Sequence, residues 1–250
     1  DSYDYPLYRP PSEAYSLILQ ITLGCSHKGC VFCGMYQSKY FHIKSIEEIK
    51  MEMDMFATRY SHIDKIFLAD GNALTAPTEF LVEILEYIKI KFPKCERVSC
   101  YATHIDIRKK SLEELQLLSS KGLKLLYLGV ESGDDETLRF IRKGATAQNM
   151  IDLSKKVKDA NMKLSATFIL GINGQEKDNT EHAIKTGELI SKMYLDYVGL
   201  LTLRLEEGSY LTKLAAEGKY TLVELEEVVR ELKLILENIK TEEIPQEIIF

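Results

Sequence analysis

Six short apolar runs recur along this chain, separated by amphipathic segments of helix length, and that alternation restricts the fold more than any other feature. The runs are residues 16–22, 65–69, 97–102, 124–130, 163–170 and 197–203. Each is nearly continuous in apolar residues, as strands buried on both faces are. The segments between carry helix signatures. Ser45 with Glu48 and Ser111 with Glu114 read as capping boxes. Ile46, Ile49, Met53, Phe56 and Tyr60 line one apolar face. Phe80, Leu81, Ile84, Leu85 and Ile88 line another, behind Pro77 and before a stop at Pro93. Gly122 closes the helix begun at Ser111. Further helices are expected through Leu138 and Ile141 to near Gly144, from about Thr146 to Ala160, and beyond Thr180. Thr221 with Glu224 opens a last one, with Leu225, Val228, Val229, Leu232, Ile235 and Leu236 on one side. Such a series builds an α/β fold, a parallel sheet covered by helices through right-handed crossovers. Whether the sheet is doubly wound or curls toward a barrel stays open at this point. In both, ligands gather at the C-terminal ends of the strands.

The net charge of −6 argues against a protein that grips nucleic acid through its overall field. No apolar run approaches a membrane span and no signal peptide opens the chain, so no membrane partner is expected. Five cysteines, three of them crowded together, do not read as a secreted disulfide framework, and a reducing cytoplasm fits better. Residues 1–15, rich in Tyr and Pro, are expected to form an extended arm, followed by a core over 16–210 and a helical extension over 211–250, all one structural domain. The chain starts without Met and stops at Ile248-Ile249-Phe250, so both ends are expected to be trimmed.

The crowded cysteines are Cys25, Cys30 and Cys33, spaced Cys-x4-Cys-x2-Cys in the loop after the first run. Three thiolates so close can grip a metal or cluster without distant loops converging. A closed zinc or iron–sulfur site wants a fourth ligand, and the remaining cysteines, Cys95 and Cys100, lie far along the chain. One reading adds His27 to make a structural zinc knuckle. The other leaves one iron of a cluster open for a substrate or cofactor.

The stretch resembles the cluster loop of the radical S-adenosylmethionine (radical SAM) enzymes, whose usual spacing is Cys-x3-Cys-x2-Cys with an aromatic residue before the third cysteine, here Phe32. This loop carries one residue more, and Gly24, Gly29 and Gly34 give its backbone freedom. Later strand ends carry the resemblance further. Gly129-Val-Glu131-Ser-Gly133, followed by Leu138 and Arg142-Lys143-Gly144, is similar to a stretch shared by tRNA methylthiotransferases, oxygen-independent coproporphyrinogen dehydrogenase and the elongator acetyltransferase subunit. Ile169, Gly171 and Gly174 resemble the family's adenine-contacting stretch. The resemblance covers roughly residues 16–210 and implies a (β/α)6 partial TIM barrel with a short N-terminal arm and a C-terminal helical segment.

It also implies roles. Cys25, Cys30 and Cys33 would hold an oxygen-sensitive [4Fe–4S] cluster, and S-adenosylmethionine (SAM) would be the second cofactor. Phe32 would align the adenine through its backbone, with Ile169, Gly171 and Gly174 against it. Asp70 and Gly71, in the turn after the second run, stand where the family holds the methionyl amine, by backbone carbonyls with Asp70 assisting; an ordinary Asp-Gly turn is the competing reading. Glu131 would meet the ribose hydroxyls and Lys143 the SAM carboxylate, with Arg142 as alternative and a solvated helix end as the plainer reading of both cations. Catalytic residues stay open among Tyr101, Cys100 and Arg204; Thr103, His104 and Asp106 also follow the third run, and Glu206 and Glu207 follow Arg204. Cys100 and Tyr101 alternate, so at most one points inward.

The expected activity is reductive cleavage of SAM to a 5′-deoxyadenosyl radical that abstracts hydrogen from a small-molecule or peptide substrate, with flavodoxin or ferredoxin as reductant. Only Cys95 and Cys100 remain for a second cluster, which argues against a sulfur inserter. Two rivals stand beside this reading: a zinc or iron–sulfur module without radical chemistry, and a degenerate scaffold that binds SAM without cleaving it.

Overall fold

A computed structural model describes residues 3–250. The chain opens with β1 (Leu17–Gln20), two-residue strands β2 (Thr22–Leu23) and β3 (His42–Ile43), and α1 (Ile46–Arg59). Then come β4 (Lys65–Ala69), α2 (Thr78–Lys91), β5 (Arg97–Tyr101), α3 (His104–Lys109) and α4 (Leu112–Ser120). β6 (Leu123–Glu131), α5 (Asp135–Phe140), α6 (Ala147–Asp159), β7 (Lys163–Leu170) and α7 (Thr180–Lys192) follow. β8 (Tyr197–Thr202), α8 (Tyr210–Ala216) and α9 (Leu225–Glu237) come last. No helix among the described residues is long and apolar enough to cross a membrane.

β1, β4, β5, β6, β7 and β8 make one sheet in that order, and the β1–β4, β4–β5, β5–β6 and β7–β8 pairs are parallel. Each new strand joins the same edge. The order never reverses, so the sheet lacks the switch point of a doubly wound fold and has the strand order of a (β/α)6 partial barrel. The apolar runs become these strands to within about two residues, with one exception. The first run breaks after Gln20, and Thr22 and Leu23 pair antiparallel with Ile43 and His42. That hairpin was not expected, because two residues a side leave no periodic trace.

By internal contacts the chain divides into two compact units, with β6 and α6 each running from one into the other. The first holds the N-terminal stretch to Ser26, Met35–Tyr127 and Lys156–Lys163. Its core is built on Ile66, Phe67 and Leu68 of β4, with Ile49 and Met53 of α1 and Leu81, Ile84 and Leu85 of α2. Ser45 caps α1 by accepting from the Glu48 N–H, and Ser111 and Glu114 form a complete capping box on α4. The N-terminal arm packs onto this unit. Tyr3 donates to the Ile18 carbonyl at 2.8 Å, and buried Glu13 accepts from Ser99 at 2.8 Å and Tyr127 at 2.6 Å.

The second unit holds His27–Gly34, Leu128–Lys155 and Leu164–Phe250. A core of Val31, Leu138, Ile141, Ile169, Ile172, Leu203, Leu211 and Tyr220 fills it, with Phe32 packed against the edge. α7 and α9 lie close because Gly187 has no side chain; a Cβ there would collide with the Ile235 carbonyl and stand 2.9 Å from Asn238 Cβ. α9 corrects one expectation. Half of the apolar stripe read from its sequence is outside, with Leu225 at 72%, Val229 at 56% and Leu236 at 50% exposure, while Ile235 of that stripe and the polar Glu231 are buried. Thr221 does not cap it; Glu224 is the N-cap, and the Thr221 N–H donates to Glu176.

Candidate functional site

In the first unit, the turn after β4 grips the backbone on both sides of Cys25. Asp70 accepts from the Gly24 N–H at 3.0 Å, and the Gly71 N–H donates to the Gly24 carbonyl at 3.1 Å. On the far side, Asn72 Oδ1 accepts from the Ser26 N–H at 3.0 Å, and its Nδ2 donates to Ser26 Oγ at 2.6 Å. The same Nδ2 reaches Asp106, 3.1 Å away. Gly71 is a glycine for space. A Cβ there would lie 2.6 Å from Cys25 Cβ and 3.0 Å from the Tyr36 ring. The Asp-Gly-Asn sequence is thus a clamp on the first cysteine.

Asp70 has further partners within the protein. It is fully buried, and its two oxygens also accept from Gln20 and Lys39, each at 3.1 Å. Burial pushes its carboxyl above the ordinary aspartate range, and the Gly24, Gln20 and Lys39 hydrogen bonds pull the other way. Both of its oxygens thus serve the protein's own groups. Thr103 and Asp106 are likewise structural: together they form a capping box that starts α3, a helix the apolar pattern did not reveal. His104 is the first residue of that helix and is buried.

Two catalytic candidates on β5 sit in packed surroundings. Cys100 is buried, and desolvation followed by the Asp106 charge raises its thiol pKa, which leaves a poor nucleophile. Half-buried Tyr101 stacks edge-on against Phe67 at 5.1 Å and Tyr127 at 6.1 Å. This is the packing of a core aromatic.

In the second unit, Cys30 and Cys33 lie half-buried in a segment seated on the loop after β8. The Leu211 N–H donates to the Val31 carbonyl at 3.0 Å, and a Cβ on Gly34 would come within 2.5 Å of the Glu207 carbonyl. The five cysteines form no disulfide. Among the described residues no three His, Cys, Asp or Glu side chains are arranged to hold a metal ion.

Glu131 and Lys143 come together. Glu131 ends β6 with φ at 74°, which swings its carboxylate off the strand, and Lys143 Nζ lies 3.3 Å from it. Gly129 leaves the room; a Cβ there would strike Glu131 Oε1. Burial raises the Glu131 carboxyl and Lys143 opposes that shift. Arg142, the alternative cation, points elsewhere: it is exposed, with its guanidinium 5.0 Å from the centre of the Tyr210 ring. Arg204 is exposed in the loop after β8.

Ile169 is buried, and its carbonyl lies 2.8 Å from His182 Nε2. Gly171 and Gly174 both have positive φ, so glycine is required there, but the side a Cβ would take is filled by the chain itself. Val223 Cγ2 stands 2.5 Å from that position at Gly171, and the Thr221 carbonyl 2.8 Å from it at Gly174. The Gly171 N–H donates to Glu231 at 2.9 Å. The resemblance sets both glycines against the adenine; residues 220–223 cover the side that a Cβ would take.

Comparison with known proteins adds the family. The family model described as "Radical SAM superfamily" matches residues 19–187. The protein MJ0486 of Methanocaldococcus jannaschii, described as uncharacterized, is 24% identical over 83% of this chain and 66% of its own length. A tRNA-2-methylthio-N(6)-dimethylallyladenosine synthase of Ehrlichia canis is 26% identical over 72% of this chain and 42% of its own length. Among solved structures, the coproporphyrinogen III oxidase of Escherichia coli, titled a radical SAM enzyme, superposes with a TM-score of 0.62 at 16% identity, over 90% of this chain and 51% of that one. The chain therefore spans 42–66% of these curated relatives.

Proposed function

The chain belongs to the radical SAM superfamily, and from that premise we propose that it holds a [4Fe–4S] cluster on Cys25, Cys30 and Cys33 and binds SAM beside it. The observation that carries this reading is the clamp on Cys25. A loop whose first thiol is flanked by hydrogen bonds on both sides, and approached by a side-chain-free Gly71, is built to hold that sulfur for a purpose. The donor chemistry fits: three half-buried thiols within nine residues suit a soft, sulfur-rich cluster and leave an open iron. When bound, cluster and SAM supply a one-electron cleavage that yields methionine and a 5′-deoxyadenosyl radical for hydrogen abstraction.

The chain's own contribution is orientation. Glu131 offers two acceptor oxygens to a ribose diol, and Lys143, which already balances its charge, offers donors to the SAM carboxylate. The Gly71 backbone is the remaining candidate for the amine. Phe32 is anchored at the edge of an apolar core, which fixes its backbone for the adenine, and Ile169, Gly171 and Gly174 supply the neighbouring surface. Flavodoxin or ferredoxin is the proposed reductant and a small molecule or peptide the proposed substrate, in the cytoplasm.

Cys30→Ala tests the ligand set. The variant should keep its fold by circular dichroism, lose cluster iron after anaerobic reconstitution and release no 5′-deoxyadenosine. Full iron content with full cleavage would remove Cys30 from the site.

A further inference from the structure

Tyr36, three residues beyond the third cysteine, carries a buried hydroxyl that the protein leaves without a hydrogen-bond partner among the described residues. The residue is only 8% exposed. Its place is beside Cys25. The position of a Cβ on Gly71 lies 3.0 Å from Tyr36 Cε2 and 3.1 Å from Cys25 Sγ. Cε2 is bonded to the carbon that bears the hydroxyl, so the polar end of the ring faces the same Gly71 position as the Cys25 sulfur. The ring is fixed there. Tyr8 packs edge-on against it at 5.2 Å, and the Lys39 ammonium stands 5.9 Å from its centroid.

Leaving a buried hydroxyl unpaired is costly, and folds rarely accept that without cause. A phenol of ordinary pKa, about 10, keeps its proton at neutral pH, so the group is a donor. Oxygen acceptors nearby are taken: both Asp70 oxygens hold other partners. The acceptor this hydroxyl lacks belongs on a group the protein itself does not supply.

We propose that Tyr36 is a positioning residue whose hydroxyl donates a hydrogen bond to an anionic sulfur of the cluster bound at Cys25 and so raises that cluster's reduction potential. This rests on the cluster reading above. A donor to sulfur stabilises the reduced, more negative state, and such bonds are one of the means by which proteins set cluster potentials.

The experiment compares the full chain with its Tyr36→Phe variant after anaerobic reconstitution, by iron and sulfide content and by potentiometric titration followed by electron paramagnetic resonance. The expected result is equal iron in both, a midpoint shifted to more negative potential in the variant, and an altered spectrum of the reduced cluster. Incorporating 3-fluorotyrosine at Tyr36 should move the potential the other way, since its more acidic hydroxyl donates more strongly; this decides the matter if the Phe variant does not fold. Equal potentials in all three proteins would overturn the proposal while leaving the cluster in place. So would weakened SAM binding with an unmoved potential, which would place the acceptor on SAM. A wild-type chain that takes up no iron would overturn the cluster reading and this one with it.

Discussion

Glu231 is buried on α9, accepting from the Gly171 N–H at 2.9 Å, with His182 Nε2 3.6 Å away. Its second oxygen has no partner among the described residues. Burial pushes its carboxyl up to about 7 from an ordinary 4.5, so the folded chain holds this proton across a window in which the unfolded chain releases it. Stability from this group is complete below pH 4.5 and is lost as pH rises to about 7, a difference of about 3 kcal/mol. His182 acts oppositely. Burial lowers it to about 4, so its contribution is complete above its ordinary 6.5 and lost as pH falls to about 4. Glu231→Gln should therefore be more stable than wild type at pH 8, by about 1–3 kcal/mol, and should leave a profile that only rises from pH 4 to 6.5. Urea titrations across pH check this, and an unchanged profile would contradict it. At Gly71, an added methyl meets Cys25 Cβ at 2.6 Å, so Gly71→Ala should cost about 1–3 kcal/mol and reduce iron uptake on reconstitution. The crowded thiols stood out by their spacing, whereas Glu131 and Lys143 were named through the family resemblance, and the structure sets them 3.3 Å apart. The clamp was not legible: nothing in Asp70-Gly71-Asn72 says that its polar groups turn back to a loop 46 residues earlier. Tyr36 was missed for the same reason.

α9 shows how an element can be read correctly and its orientation misread. Its apolar period is real, but the residues that meet the second unit are Ile235 and the polar Glu231, because Gly187 admits α9 at that angle and the Gly171 N–H claims the carboxylate. Ile235→Ala should cost about 2–5 kcal/mol. Leu225→Ala and Val229→Ala, on the exposed side, should each stay within about 0.5 kcal/mol of wild type in the same denaturation assay. A loss at Leu225 equal to that at Ile235 would reverse this assignment of faces. Strands were legible as long apolar runs, and α1, α2, α4, α6 and α7 as capped or periodic segments. α3 and α8, of six and seven residues, are too short for periodicity, though the Thr103–Asp106 capping box was there to be read.

Six strands added along one edge make one sheet whose order never reverses. Within the first unit Gly71 stands against the clamped Cys25 and Tyr36, and within the second Lys143 pairs with Glu131. The alternation of strands and helices was legible locally, whereas the strand order that separates a barrel from a doubly wound sheet needed the family resemblance, because both folds share the same local pattern. The substrate was not legible. It depends on loop surfaces, and the chain spans 42–66% of two of its curated relatives. The decisive measurement is 5′-deoxyadenosine by mass spectrometry, from protein reconstituted anaerobically with iron and sulfide and then given dithionite and SAM. A cluster-loaded chain should release 5′-deoxyadenosine in an amount that requires both reductant and SAM. A full cluster with no 5′-deoxyadenosine would make the chain a SAM-binding scaffold, and bound zinc without iron would make it a structural metal module; either would contradict the radical enzyme proposed here.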